Sequence, residues 1–285
     1  MSVTIKEALL RASFLLREAG VENPRREAEA LLCAGTGFPL AHIYAHGEET
    51  LTEELHTRYL DWITRRAGEE PFAYICGERE FMGLPFRVTP DVLIPRPETE
   101  FLVEATVAAL APYSQPHILE VGTGSGAVAV MLAVLLPGAQ VTSVDTSLPA
   151  ITVAADNAAR HGVADRVRLL TGDIYAPAAA EEIHFTAVVS NPPYIPTAEI
   201  DGLAPGVKEH EPLQALDGGP DGLTFYRRLT RELVLLSHLP DILAFEVGAG
   251  QAHSVIQLCH TAGYKKTRQV KDLAGIERVI TATRL

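Results

Sequence analysis

From His117 onward, short apolar runs alternate with helical stretches, and this alternation limits the folds open to the chain. The runs fall at 118–121, 140–144, 167–170, 187–190 and 242–246, with helical patterns at 126–136, 148–160, 222–238 and 252–262. Such an order predicts a mostly parallel sheet wrapped by helices on both faces. The last stretch, 265–283, has no helical pattern. Its two β-like runs around Leu273-Ala-Gly-Ile276 predict an antiparallel hairpin at the sheet edge.

The first 75 residues read differently. Ile5, Leu9, Leu10, Phe14 and Leu15 repeat at helical spacing, as do Ala28, Leu31 and Leu32, and Asn23-Pro24 supplies a helix start. A third helix is expected at 53–66, with Leu55, Tyr59, Leu60 and Trp62 as its apolar members. Phe81-Met-Gly-Leu-Pro-Phe-Arg-Val88 has a glycine in mid-run and a β-favouring end, which predicts a hairpin. Two prolines in Ile94-Pro-Arg-Pro-Glu-Thr-Glu100 then precede a helix starting near Glu98. The expected organisation is a helical domain over 1–75, a hairpin linker over 76–95 and an α/β domain over 96–285.

Composition excludes several classes. Apolar residues make up 47% of the 285, enough for a substantial core. No apolar run approaches a membrane span, the longest being 127–136. The start, Met1-Ser-Val-Thr-Ile-Lys-Glu7, lacks the basic-then-apolar pattern of a signal peptide, so a cytoplasmic protein is expected. Cys33, Cys76 and Cys259 are odd in number and far apart, which fits reduced thiols. His42 and His46 share a helical spacing but have no third ligand nearby, and no metal is expected. The net charge of −12 argues against a sequence-independent grip on nucleic acid and leaves room for a basic protein partner.

The chemistry gathers at the ends of the strand runs. Glu120-Val-Gly-Thr-Gly-Ser-Gly126 follows the first sheet strand and opens a helix, and its glycines let the backbone turn tightly and approach a ligand. Alone, such a loop could serve a dinucleotide, a nucleoside or nothing. Asp145 ends the second strand, where an acid accepts hydrogen bonds from ribose hydroxyls. The third glycine placement of the dinucleotide fingerprint is missing, and so is the Gly-Lys-Ser/Thr of a phosphate loop. Asp173 ends the third strand and suits an adenine amino group.

Asn191-Pro-Pro-Tyr194 closes the fourth strand. Its prolines fix the backbone and remove two N–H donors. The Asn191 side-chain oxygen and the Pro192 carbonyl are then free to accept both hydrogens of a planar NH2 group, with Tyr194 packing on whatever carries it. A nucleoside on one side and an NH2 cradle on the other is the layout of an S-adenosyl-L-methionine-dependent methyltransferase acting on nitrogen. The cradle alone does not tell an amide from an exocyclic base amine.

The chain resembles the protein-(glutamine-N5) methyltransferases of peptide chain release factors, the PrmC/HemK family. The resemblance rests on Ile94–Glu100, Glu120–Gly126, Asp145, Asn191-Pro-Pro-Tyr-Ile195, Phe245-Glu-Val-Gly248 and Lys271-Asp-Leu-Ala-Gly-Ile-Glu-Arg278. It implies a Rossmann-like, seven-stranded class I methyltransferase sheet, with the helical domain recognising the substrate. It implies S-adenosyl-L-methionine as cofactor and S-adenosyl-L-homocysteine as product. Cofactor contacts are expected at Gly122, Thr123, Gly124, Ser125, Gly126, Asp145, Asp173, Ile174 and Asn191. Asn191, Pro192 and Tyr194 are expected to act in catalysis and, with Pro193, to bind the substrate. Ile174 stands where some members carry an aromatic against adenine. The implied substrate is the glutamine of the release-factor Gly-Gly-Gln loop, met by a monomer without nucleic acid or membrane. A ribosomal-protein glutamine, or an adenine or cytosine amine in nucleic acid, is the alternative.

Overall fold

The computed structural model describes residues 3–179 and 182–284. Two compact units form: the chain up to Glu78 with Ala204–His210, and Arg79–Leu203 with Glu211–Leu285.

The first unit is helical. Its helices are α1 (Ile5–Glu18), α2 (Pro24–Thr36), α3 (Leu40–Ala45), α4 (Glu53–Ala67) and α5 (Phe72–Cys76). A reciprocal cap starts α1: the Thr4 hydroxyl accepts from Glu7 N at 3.2 Å, and Glu7 Oε2 accepts from Thr4 N at 2.9 Å. The face of α1 differs from the sequence expectation. Ile5, Ala8, Ala12 and Leu16 are buried, whereas Leu10, Phe14 and Leu15 are exposed. Ala8 and Ala12 let α1 lie close to α2, with Ile5 and Leu16 at either end of the buried stripe, while Leu10, Phe14 and Leu15 fall on the outer face.

The second unit opens with a hairpin of β1 (Glu78–Phe81) and β2 (Leu84–Arg87). Met82 and Gly83 turn it, both at positive φ, as a two-residue turn of primed type requires. Helix α6 (Pro97–Leu110) follows. The sheet then takes β3 (His117–Val121), β4 (Gln140–Asp145), β5 (Val167–Thr171), β6 (Ala187–Ser190), β7 (Ile242–Glu246), β8 (Lys266–Lys271) and β9 (Glu277–Thr283). Its order is β5-β4-β3-β6-β7-β9-β8. Five strands are parallel, and β9 pairs antiparallel with both β7 and β8. The predicted edge hairpin is therefore present.

Strand residues divide alternately between two cores. Ile118, Val141, Val189 and Ala244 face α6, α7 (Ala127–Leu135) and α8 (Leu148–Arg160). Leu119, Val188, Leu243 and Phe245 face α9 (Thr224–Arg231) and α10 (Ala252–Thr261). The helix expected over 222–238 is shorter: after Arg231 the chain tightens into a 3₁₀ turn, Glu232–Leu235. No described helix is long and apolar enough to cross a membrane.

One buried side chain ties this frame to the glycine loop. Asn157 on α8 accepts from Arg87 N at 2.8 Å and donates to Arg87 O at 2.9 Å and Ser125 O at 2.8 Å. Its Cβ-truncated form would leave three backbone groups without these partners. Asn157→Ala is therefore expected to lower stability by about 2–4 kcal/mol, read as a shifted denaturant midpoint at unchanged slope.

Candidate active site

The glycine loop leaves β3 with Gly122, Gly124 and Gly126 at φ of +86°, +52° and +79°. This left-handed region is costly for residues with a Cβ. Gly122 N donates to Val144 O at 2.8 Å, and Gly126 N to Thr123 O at 2.8 Å. A Cβ on Gly126 would stand 2.8 Å from the Ala154 Cβ, so the loop lies directly on α8. Asp145 closes the other side. Its Oδ2 accepts from Gly124 N at 3.0 Å and its Oδ1 from Ser147 N at 2.9 Å. Asp145 lines a cavity at this edge, and each of its oxygens has accepting capacity left.

That cavity has a volume of about 320 Å³, within the ~300–1,000 Å³ typical of small-molecule sites. It gathers most of the residues singled out from sequence: Gly122 to Ser125, Asp145, Asp173, Ile174 and Asn191 to Pro193 all line it. Gly126 and Tyr194 do not. Gly126 serves the loop from behind, against α8.

Asp173 is exposed, and its two oxygens take the Arg228 guanidinium at 3.1 and 2.7 Å. An acid read as a recognition group for an adenine amine is thus shared with an arginine from α9. Ile174 is buried at φ +46°, an uncommon conformation for a β-branched side chain. Phe225, also on α9, lines the same cavity. It supplies an aromatic where sequence reasoning found only Ile174.

The Asn191-Pro-Pro-Tyr run emerges from β6 under tight restraint. Ser190 Oγ donates to Val121 O at 2.7 Å, and Asn191 Nδ2 donates to Thr99 Oγ1 at 3.2 Å. Tyr194 O accepts from Gln251 Nε2 at 2.9 Å. A Cβ on Gly218 would lie 2.7 Å from Tyr194 Cα, and one on Gly248 3.0 Å from Tyr194 Cδ2. Gly218 and Gln251 were missed from sequence; Gly248 was noted only within the Phe245–Gly248 motif. The run Asp217-Gly-Gly-Pro-Asp-Gly222 was the available signal, since so many turn residues together announce a close backbone approach.

Three buried acids complete the site. Glu120 is pushed up to about 8 chiefly by burial, with Asp145 adding to it and the Ser143 hydroxyl opposing it. Ser143 donates to Glu120 and also meets Thr123 Oγ1 at 2.7 Å. Glu246, 2% exposed at the end of β7, is raised to about 7 by burial, against the hydrogen-bonding influence of Thr99 and Asn191. Among the described residues its Oε2 has no hydrogen-bond partner. Glu211 is paired: it takes Arg96 in an ion pair and accepts from Ile94 N at 3.3 Å. Arg96, unassigned by sequence, therefore pins the proline-rich segment. Burial, and then the nearby Glu246, push the Tyr194 phenol up to about 12, so it stays neutral.

Comparison with known proteins decides the family. Residues 7–77 match the PrmC N-terminal domain model and residues 97–203 the methyltransferase small domain model. A release factor glutamine methyltransferase of Moorella thermoacetica is 43% identical, covering 99% of both chains. One of Geobacter sulfurreducens is 42% identical, over 97% of this chain and 95% of that one. The chain belongs to the release factor glutamine methyltransferase family.

It is a methyltransferase with the α/β fold of that class, as expected from sequence. Solved structures agree on the fold alone. The hMettl16 catalytic domain in complex with a MAT2A 3'UTR hairpin superposes with a TM-score of 0.58 at 12% identity, over 84% of this chain and 85% of that one. The N-terminal domain of human METTL16 in complex with SAH gives 0.52 at 15% identity, over 84% and 86%.

Two outcomes are expected of this site. Gly126→Ala in the methyltransferase should abolish nucleoside binding measured by calorimetry, because its Cβ collides with Ala154 and its φ is strained. The second concerns pH. The folded forms of Glu120 and Glu246 hold protons that the unfolded chain releases above about pH 4.5. Stability present below that pH is lost as pH rises through about 7 and 8, by on the order of a few kcal/mol. Thermal midpoints of the ligand-free protein should fall across this window, and Glu120→Gln should flatten the decline.

Proposed function

We propose that this methyltransferase transfers a methyl group from S-adenosyl-L-methionine to the side-chain amide nitrogen of the glutamine in a release-factor Gly-Gly-Gln loop. The observation that carries the reading is convergence: the glycine loop, Asp145 and the Asn191-Pro192 edge open on one cavity. The residues fit the cofactor. Gly122 and Gly124 line the cavity without a Cβ, so the backbone there could approach the cofactor closely, and Asp145 has accepting capacity left for a ribose. Asp173, Ile174 and Phe225 would flank its base. When bound, the cofactor supplies an activated methyl on a sulfonium, and S-adenosyl-L-homocysteine is left.

What remains for the chain is to hold a poor nucleophile. An amide nitrogen shares its lone pair with its carbonyl, so orientation carries much of the rate. With Nδ2 of Asn191 held by Thr99, Oδ1 is the atom left for the substrate. Oδ1 and Pro192 O accept the two amide hydrogens, fix the nitrogen and stabilise the positive charge it gains, which is discharged when the methylated nitrogen loses a proton to water. Tyr194, held at its backbone by Gln251, packs on the glutamine side chain.

The helical unit, residues 1–75 in the sequence reading, serves as the docking module. The outward Leu10 and Phe14 of α1 support this, since exposed large apolar groups mark contact surfaces. The net charge of −12 favours a protein over a nucleic acid as partner. The reading places a monomer in the cytoplasm.

Incubation with S-adenosyl-L-methionine and a release factor, followed by peptide mass spectrometry, tests the assignment. A single methyl on the Gly-Gly-Gln glutamine is expected, and a methylated ribosomal protein or nucleic acid instead would overturn it. Asn191→Ala should reduce kcat about 10²–10³-fold while cofactor affinity holds. Phe14→Ser should raise KM for the release factor several-fold without changing kcat.

A further inference from the structure

Glu246 is a buried acid that the reaction just described does not use. It ends β7, beside β6, and thus stands next to the strand that delivers Asn191. Burying a carboxyl group without satisfying both oxygens is costly, and among the described residues Oε2 has no hydrogen-bond partner. Its neighbours come from each packed element: Thr99 and Glu98 on α6, Asn191 and Tyr194 beyond β6, Tyr226 on α9 and Arg278 on β9. Arg278 is held by Asp272, at 2.8 Å, and is therefore not a dedicated counter-ion.

The Asn191 amide poses a problem that this acid answers. Its Nδ2 carries two hydrogens, and Thr99 Oγ1 takes one at 3.2 Å. A hydroxyl can donate as well as accept, so Thr99 alone does not fix which end of the amide faces the cavity. A carboxylate can only accept. Placed beside both groups, it draws the Thr99 hydroxyl hydrogen and the second Nδ2 hydrogen toward itself, and Oδ1 must then face the cavity. A protonated carboxyl has an O–H that can serve Oδ1 instead. The amide can then turn over and present N–H donors to the N–H donors of a substrate.

We propose that Glu246 is a positioning residue for the amide clamp, which as a carboxylate fixes the Asn191 side chain with Oδ1 toward the substrate and on protonation releases it. This rests on the clamp reading above. Its midpoint near neutrality follows from the buried position, with Glu98 pushing in the same direction and Arg278 against it. The sign is set: activity rises with pH as Glu246 ionises.

Two measurements on the full chain test this. The first is the pH profile of kcat on a release factor for the wild type and Glu246→Gln, which keeps the shape and removes the charge. The wild type should show an acid limb with a midpoint near 7. The variant should lose at least tenfold in kcat at about pH 8 and lose the limb, with cofactor affinity unchanged. The second follows the Asn191 side-chain amide by NMR without substrate, with Asn191→Asp for assignment. Its signals should titrate near 7 in the wild type and stay fixed in Glu246→Gln. A variant that keeps the acid limb, or an amide that does not titrate in the wild type, overturns the inference. The NMR readout needs no methyl transfer. A wild type inactive on release factors would therefore count against the substrate reading, and the titration would still decide the role of Glu246.

Discussion

The parallel pairing of β3 with β4 on one side and β6 on the other is the constraint on which the site depends. The chain winds off in one direction through β4 and β5 and in the other through β6 and β7. Loops leaving the carboxyl ends part at that point and open a crevice. Five of the candidate site's segments arrive by the same route. The glycine loop follows β3, Asp145 ends β4, Asp173 follows β5, Asn191 follows β6 and Glu246 ends β7. Parallel strands place these ends in one row, so residues more than a hundred positions apart in sequence become neighbours without long loops.

The row is useful only if it is held still, and here the restraint is close backbone contact. Gly126 touches α8, Gly122 faces Asn191 O, and Gly218 sits on Tyr194 Cα. Where two backbones meet without side chains between them, a drift of half an ångström meets hard repulsion. Polar groups fix the remaining freedom: Asn157 joins β2, α8 and the glycine loop, and Ser190 joins the ends of β6 and β3.

Sequence reading reached those parts whose signals are local. Runs 187–190 and 242–246 match β6 and β7 residue for residue, because mostly apolar runs are bounded by Asn191-Pro192 on one and by Pro240-Asp241 and Gly248 on the other. The glycine loop and Asp145 are legible because their order along the chain fixes their place in this fold. Contact partners are not. Arg228 meets Asp173 across 55 positions and Glu211 meets Arg96 across 115. A polar residue in a helix, such as Asn157, reads as solvent-facing until the strand it binds is known. The inner face of α1 was misread for a related reason: leucine and phenylalanine outweigh alanine on any hydrophobic scale, yet close helix packing selects the alanines.

Charge in the cavity bears on its ligand independently of motifs. Among the described residues, the Lys and Arg side chains lining it are Arg96 and Arg228, and each is already matched, by Glu211 and by Asp173. Asp145 and Glu120 line the same cavity, and among the described residues both accept from neutral donors. A site for a phosphate-bearing cofactor would need free cations or N–H groups not already spent on protein carboxylates. Here the Gly124 and Ser147 N–H groups are spent on Asp145. Burial raises Glu120 to about 8, so near neutral pH the unmatched charge is that of the half-buried Asp145 carboxylate. Such a cavity disfavours a dinucleotide and favours a ligand that carries positive charge and hydroxyl groups. A sulfonium nucleoside is of that class, and the electrostatics and the glycine spacing thus point the same way from separate premises.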